Sequence, residues 1–214
     1  MLALLTDNPS LCHRLSPALL SNGIFHYVEG LDKGLMLCDA KEIGGVILDT
    51  KGNFETARIL CTALRARYPE MPIAALLDDG TACDMPADRS IRAEDGELWQ
   101  EVSAFCHTVM GRERQILSLH QLYITENAND TRYLGYPLQL STSEHLLLLC
   151  LTYLAPRVVP PEELHRLCDP LGLHSAKSLA VRISAINQKA REIHPRTLIC
   201  NAFKRGYTLN TNVL

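Results

Sequence analysis

The sequence predicts an α/β chain in two parts, a doubly wound parallel sheet followed by a small mixed unit, on three observations. Over residues 1–110 short apolar runs alternate with longer amphipathic stretches, the pattern of parallel strands joined by helical crossovers. Beyond residue 115 strand-like runs are separated only by polar turns, and helical spacing then leads into a hairpin-like end. Charge divides at the same place: residues 1–110 carry 9 Lys and Arg against 16 Asp and Glu, a net of −7, and the remainder carries 12 against 8, a net of +4. An acidic control domain before a polyanion-binding one fits that split. The 214 residues suffice for one domain of about 120 residues and a second of about 90, with boundaries expected at 1–110 and 116–214 around a charged connector, 111–115.

Composition narrows the class. Hydrophobic residues at 47% and charged ones at 21%, with a mean hydropathy of -0.00, argue against disorder and membrane residence. No uncharged apolar run reaches the length of a membrane span, and MLALLTDNPS meets Asp7 before a secretory core is complete. The expectation is a cytoplasmic protein with no membrane contact. The eight cysteines stand singly, without a CxxC pair, so neither disulfides nor structural zinc are expected. Each reads as a small core residue except Cys83, which lies in a polar stretch.

In the first part, strands are expected at 2–5, 24–28, 45–48 and 72–77. Helices fall at 9–20, through Leu11, Leu15, Leu19 and Leu20; at 54–68, through Ala57, Leu60, Cys61 and Leu64; and at 97–109, through Leu98, Val102, Phe105 and Val109. Open sheets of this kind carry their sites at the carboxyl ends of the strands, where Asp7 and Asp49 directly follow apolar runs. Two converging carboxylates there can hold an oxygen-preferring cation such as Mg²⁺, and one can accept a phosphoryl group. The alternative reading makes Asp7 the N-cap of the following helix and Asp49 the cap of a turn.

In the second part, strands at 116–125, 132–134 and 137–140 form an antiparallel meander with turns at 127–130 and 135–136. Ser141 and Glu144 have the spacing of a capping box ahead of a buried helix at 146–154. Pro161 suits the first turn of a short helix through Leu167, and Asp169-Pro170-Leu171-Gly172 breaks the chain before a longer helix at 175–193. Leu179, Ile183, Ile186, Ala190 and Ile193 form the core face of that helix. Lys177, Val181, Ser184, Ala185, Gln188 and Arg191 lie opposite, with Arg182 and Asn187 at the margins. Basic, amide and small groups together suit a DNA major groove; a plain solvated helix face is the other reading. Two strand-like runs around Lys204 and Arg205 close the chain as a hairpin.

The segments Thr6-Asp7-Asn8-Pro9, Val46-Ile47-Leu48-Asp49 and Pro72-Ile73-Ala74-Ala75-Leu76-Leu77 resemble the receiver domain of bacterial response regulators, a flavodoxin-like fold, over residues 1–110. In that family two acids after the first strand bind Mg²⁺, the third strand ends in the phosphoacceptor Asp, the fourth in Ser or Thr, and the fifth in Lys before Pro. By the resemblance Asp7 matches one acid with Thr6 in place of the other, and Asp49 matches the phosphoacceptor. Leu77 replaces the hydroxyl residue, and Arg92 is the cation nearest to the Lys position. Leu77 cannot hydrogen-bond a phosphoryl oxygen, and Arg92 differs from Lys in geometry. The resemblance therefore implies a receiver-shaped domain whose phosphoswitch is dismantled, with at best a weak Mg²⁺ site at Asp7 and Asp49 and otherwise no cofactor.

STSEHLLLL (141–149), RVVPPEEL (157–164), KSLAVRISAINQK (177–189) and KRGYTL (204–209), in that order, are similar to the winged helix-turn-helix effector of OmpR/PhoB-type regulators over residues 116–210. The resemblance implies that the helix from Ser175 enters the major groove and that the wing around Lys204 and Arg205 reaches the adjacent minor groove. Lys177 then falls at the basic start of the recognition helix, Val181 at an apolar base contact and Arg182 at a phosphate contact. Ser184, Ala185 and Asn187 fall where the family usually carries Arg, which implies weaker non-specific affinity and a shallower salt slope.

The expected function is that of a DNA-binding transcription regulator of the two-component type, not an enzyme, binding direct-repeat promoter sites as a homodimer without phosphorylation. Two alternatives stand beside it: a conventional phosphoswitch at Asp49, and a protein-interaction module whose winged helix contacts RNA polymerase. A haloacid-dehalogenase-like phosphatase would need acids two residues apart after the first strand, and Asp7-Asn8-Pro9 does not supply them.

Overall fold

Five parallel strands form the first unit: β1 (Leu2–Leu5), β2 (His26–Glu29), β3 (Gly45–Asp49), β4 (Ile73–Leu77) and β5 (Arg89–Arg92), in spatial order β2-β1-β3-β4-β5. They belong to a computed structural model that describes residues 1–77, 84–92, 98–110, 117–119, 121–125, 130–170, 177–203 and 205–210. Contacts divide the chain into two units, Met1–Glu113 and Arg114–Leu214. The connector expected at 111–115 lies outside the described residues.

Strands β1, β3 and β4 are apolar runs buried along their whole length, as a parallel sheet covered on both faces requires. The two-residue period sorts their side chains. Ala3, Leu5, Val46, Leu48, Ile73, Ala75 and Leu77 pack with α3 (Phe54–Arg67) through Ala57, Leu60, Cys61 and Leu64. Leu2, Leu4, Ile47, Ala74, Leu76 and Ile91 pack on the opposite face with α1 (Pro9–Ser21) and α4 (Leu98–Met110). A short helix, α2 (Gly34–Ala40), completes the α3 face. The sheet is doubly wound in the flavodoxin-like order.

The sequence pattern misses two elements of this unit. β5 reads Arg-Ser-Ile-Arg and buries only Ile91, so as a mostly polar edge strand it has no apolar run to announce it. α2 has seven residues, too few for a helical period to show. Between β4 and β5, residues 84–88 carry no helix and are held by side chains. Arg65 on α3 donates to the carbonyls of Pro86, Pro69 and Met71 and pairs with Asp88 at 2.6 Å, and Asp88 accepts from the Ile73 amide. Residues 78–83 lie outside the described residues, as does Cys83; the described cysteines are all free thiols.

The second unit starts with β6 (Leu117–Leu119), β7 (Leu122–Ile124), β8 (Arg132–Tyr133) and β9 (Tyr136–Pro137), each paired antiparallel with the next. The single strand expected at 116–125 is thus two, which pair with one another. Leu134 and Gly135 both have positive φ and form the tight turn between β8 and β9. Next come α5 (Thr142–Leu154), α6 (Pro161–Cys168), α7 (Lys177–Ile193) and a hairpin of β10 (Ile199–Ala202) and β11 (Gly206–Leu209). The capping box is formed: the Ser141 hydroxyl accepts from the Glu144 amide, and Glu144 accepts from the Ser141 amide at 2.7 Å. It starts α5 one turn ahead of the apolar run, and most of that helix is buried. Among the described residues no helix is long and apolar enough to cross a membrane.

One buried polar group makes the first unit's stability depend on pH. His26 on β2 is fully enclosed. Its Nδ1–H donates to the Ile24 carbonyl (3.2 Å), and Nε2 accepts from the Ser16 hydroxyl (2.9 Å). Burial pushes the imidazole down from 6.5 to about 4, so the folded state holds it neutral. Between those values the unfolded chain binds a proton that the folded chain does not. Stability is then complete above pH 6.5 and falls as pH drops toward 4, by about 3 kcal/mol in total. Urea denaturation at pH 7.5 and 4.5 should show that loss for the wild type and a much smaller one for His26→Gln. Equal losses in the two proteins would place the acid sensitivity elsewhere.

Candidate nucleic-acid interface

The carboxyl end of the sheet gathers the acids expected there. Asp49 closes β3 and is 2% exposed. Its Oδ2 accepts from the Thr6 hydroxyl at 2.6 Å and its Oδ1 from the Lys51 amide at 3.0 Å. The Thr6 oxygen also accepts from the Asn8 amide, so the hydroxyl is engaged as donor and acceptor. Asn8, not Asp7, caps α1, taking the amides of Ser10 and Leu11. Asp7 is exposed and accepts a long bond from the Leu31 amide. Its expected role as a cap is therefore corrected: the asparagine one residue later has the extended backbone and the reach.

The donor set is a poor one for Mg²⁺: Asp7 is the lone acid directly after β1, a cation between Asp7 and Asp49 would share the Asp49 carboxylate with the Thr6 hydroxyl and the Lys51 amide, and no group of three or more metal-ligating side chains occurs among the described residues. Leu77 at the end of β4 is buried, and its register partner at the end of β5 is the exposed Arg92. Thr50 spends its hydroxyl on the Leu76 carbonyl. Cys12 on α1 feels the same carboxylate: burial first, then the Asp49 charge, pushes its thiol up.

On α7 the core face is as spaced in the sequence, with Leu179, Ile183, Ile186 and Ala190 buried. Val181 is 69% exposed; Ser184, Gln188 and Arg191 are also exposed, and Arg182 and Ala185 half-buried. Arg191 reaches the Thr197 hydroxyl at 3.3 Å. Lys177 begins the helix, and its side chain lies outside the described residues, as does Lys204. Arg205 is exposed near the hairpin tip.

Asn187 is a correction. Its side chain is buried and turned away from any groove, donating to the Ile199 carbonyl at 2.9 Å and accepting from the Ile199 amide at 2.8 Å. It stands at the margin of the exposed face, where an amide can either read a base or satisfy a neighbouring strand, and β10 takes it. Lys189, overlooked in the sequence, pairs with Glu144 at 2.6 Å and ties α7 to the start of α5.

The hairpin is braced at its base. Val159 and Tyr207 exchange both backbone hydrogen bonds. Gly206 has φ 131°, and a Cβ there would lie 2.0 Å from the Val159 carbonyl oxygen, so the position admits only glycine. Arg157 and the buried Glu163 pair across the same corner. Three helices and this hairpin make the second unit a winged helix-turn-helix, standing after a receiver-like α/β unit.

No family model matches the chain, and no curated protein matches it. Solved structures similar to it include the OmpR/PhoB-type response regulator DrrB of Thermotoga maritima, 19% identical over 97% of each chain with a TM-score of 0.40. Another is from a family of streptococcal redox sensors described as evolved from two-component response regulators, 18% identical over 98% of each chain with a TM-score of 0.41. The DNA-binding domain of CadC from E. coli is 19% identical, covering 45% of this chain and 94% of that one, with a TM-score of 0.40. The assignment of the two units rests on the topology described above.

Replacing Asn187 by Leu keeps the branched shape and strands both backbone groups of Ile199. The full chain should lose about 2–3 kcal/mol in a urea denaturation curve, whereas Ser184→Ala should change it by less than about 0.5 kcal/mol. A loss under about 0.5 kcal/mol for Asn187→Leu would mean that the two bonds do not hold the hairpin.

Proposed function

We propose that the chain is a DNA-binding transcription regulator of the response-regulator type, acting without phosphorylation and binding direct-repeat sites as a homodimer assembled through its receiver-like unit. The observation that carries the DNA reading is the exposed face of α7, where Val181, Ser184, Gln188 and Arg191 stand clear of the core beside Arg182. Val181 offers a thymine-methyl contact, Gln188 an adenine contact, and the arginines phosphate or guanine contacts. Arg205 on the wing adds a cation for the adjacent minor groove.

Independence from phosphate is supported by the Thr6–Asp49 bond. A phosphoryl group on Asp49 would compete with it for the carboxylate, and would find Leu77 where a switching hydroxyl is needed. The receiver-like unit is then left as a scaffold for dimerisation.

Selection from a pool of random duplexes by the full-length protein, with no phosphoryl donor, should enrich two direct half-sites about 10 bp apart. Asp49→Asn keeps an acceptor for Thr6 but cannot be phosphorylated, and should bind the enriched duplex within about twofold of wild type. With acetyl phosphate added, a tenfold gain in affinity by wild type that Asp49→Asn does not share would restore the conventional phosphoswitch. Arg182→Ala should lower affinity across all sequences and reduce the salt slope by about one. Failure to enrich any duplex would turn the winged helix toward a protein such as RNA polymerase.

A further inference from the structure

We propose that Phe203 is a minor-groove wedge: its ring enters the duplex at the wing and partly unstacks one base step, so that binding bends the DNA. The inference rests on the DNA-binding reading above and adds to it a residue, a groove and a deformation.

Phe203 is 82% exposed, the most exposed large hydrophobic side chain among the described residues. A phenyl ring so placed adds nothing to the unit's core. It sits in the turn of the β10–β11 hairpin, closed by the Arg205 amide donating to the Ala202 carbonyl at 2.8 Å. The turn stands on a stem fixed three times over: by four paired residues in each strand, by the Asn187 amide on Ile199, and by the Val159–Tyr207 bridge with Gly206 beneath it. The backbone that carries the ring is therefore braced, which leaves mainly the ring's own rotamers to be ordered on binding.

Its neighbour selects the occupant. Arg205, two residues on, is exposed at the same tip, and the second half of the chain carries a net charge of +4. An aromatic ring beside a cation on a narrow hairpin fits the minor groove, whose negative potential draws Arg and whose floor accepts apolar wedges between base steps. Pyrimidine–purine steps unstack most readily, so the wing should favour a TA or CA/TG step at its point of entry. An apolar protein surface would suit the ring but leave Arg205 without a matching charge.

The test uses the full-length protein and a 40-bp duplex enriched by the selection above. 2-Aminopurine replaces each adenine of the half-site flanks in turn, and fluorophores at the two ends report bending by energy transfer. Wild type should raise 2-aminopurine fluorescence at least about twofold at one step and shorten the end-to-end distance. Phe203→Ala should abolish both signals and weaken binding about tenfold with an unchanged salt slope, since no charge is lost. Phe203→Leu, still an apolar wedge, should keep part of each. Arg205→Ala should lower the salt slope and leave unstacking in place. Because the ring is exposed, thermal melting of the Phe203 variants should match wild type.

If wild type binds the duplex and Phe203→Ala gives the same fluorescence, bend and affinity, the wedge is overturned while the DNA-binding reading stands. If wild type retains no duplex from the pool, both fall, and the exposed ring belongs to a protein contact.

Discussion

The pair of hydrogen bonds between the Asn187 side chain and the backbone of Ile199 joins a helix face to a strand that neither could hold alone. A polar atom withdrawn from water gains by finding a partner inside the protein, and several buried groups of both units meet that demand, although the buried Tyr133 hydroxyl has none among the described residues. Ser16 and the Ile24 carbonyl answer it for His26, Thr6 for Asp49, and Lys189 for Glu144. In the stretch before β5, where residues 84–88 form no helix, Arg65 gathers three carbonyls and one carboxylate. Each of these contacts fixes the direction of an element whose apolar face alone would allow it to slide.

The same demand explains the acid end of the sheet. A carboxylate buried at the end of β3 needs donors, and a threonine at the end of β1 supplies one within a single small side chain. With Thr6 in place, the buried Asp49 carboxylate has a hydroxyl and the Lys51 amide as donors at the end of β3. An acid at position 6 would have left two like charges facing each other and called for a cation between them. A threonine there removes one of the two like charges that would otherwise face each other.

Much of the fold was legible because burial and periodicity coincide. β1, β3 and β4, the helices α1, α3 and α4 and the core face of α7 follow from apolar spacing, and the capping box at Ser141 from the three-residue interval to Glu144. β5 and α2 were not legible, since four residues with one buried isoleucine and seven residues of helix leave no period to count. At the candidate interface Val181, Ser184, Gln188 and Arg205 lie exposed as their positions suggest. Asn187 does not, because its partner is a strand twelve residues away that no helical wheel contains. Phe203 is hidden in the sequence for the opposite reason: an aromatic inside a strand-like run reads as core, and only the place of the turn puts it in water. Asn8 displaced Asp7 as the cap of α1 by a shift of one residue, a margin that depends on backbone dihedrals.

The sheet of the first unit ends at β5, four residues long with an arginine at each end. Arg89 is drawn onto α4 by Glu101 at 2.6 Å, and Arg92 is exposed. A foreign strand seeking to extend the sheet here would find little backbone to pair with and two guanidinium groups to strip of water. This border is guarded against strand addition, the route by which open sheets fuse into aggregates.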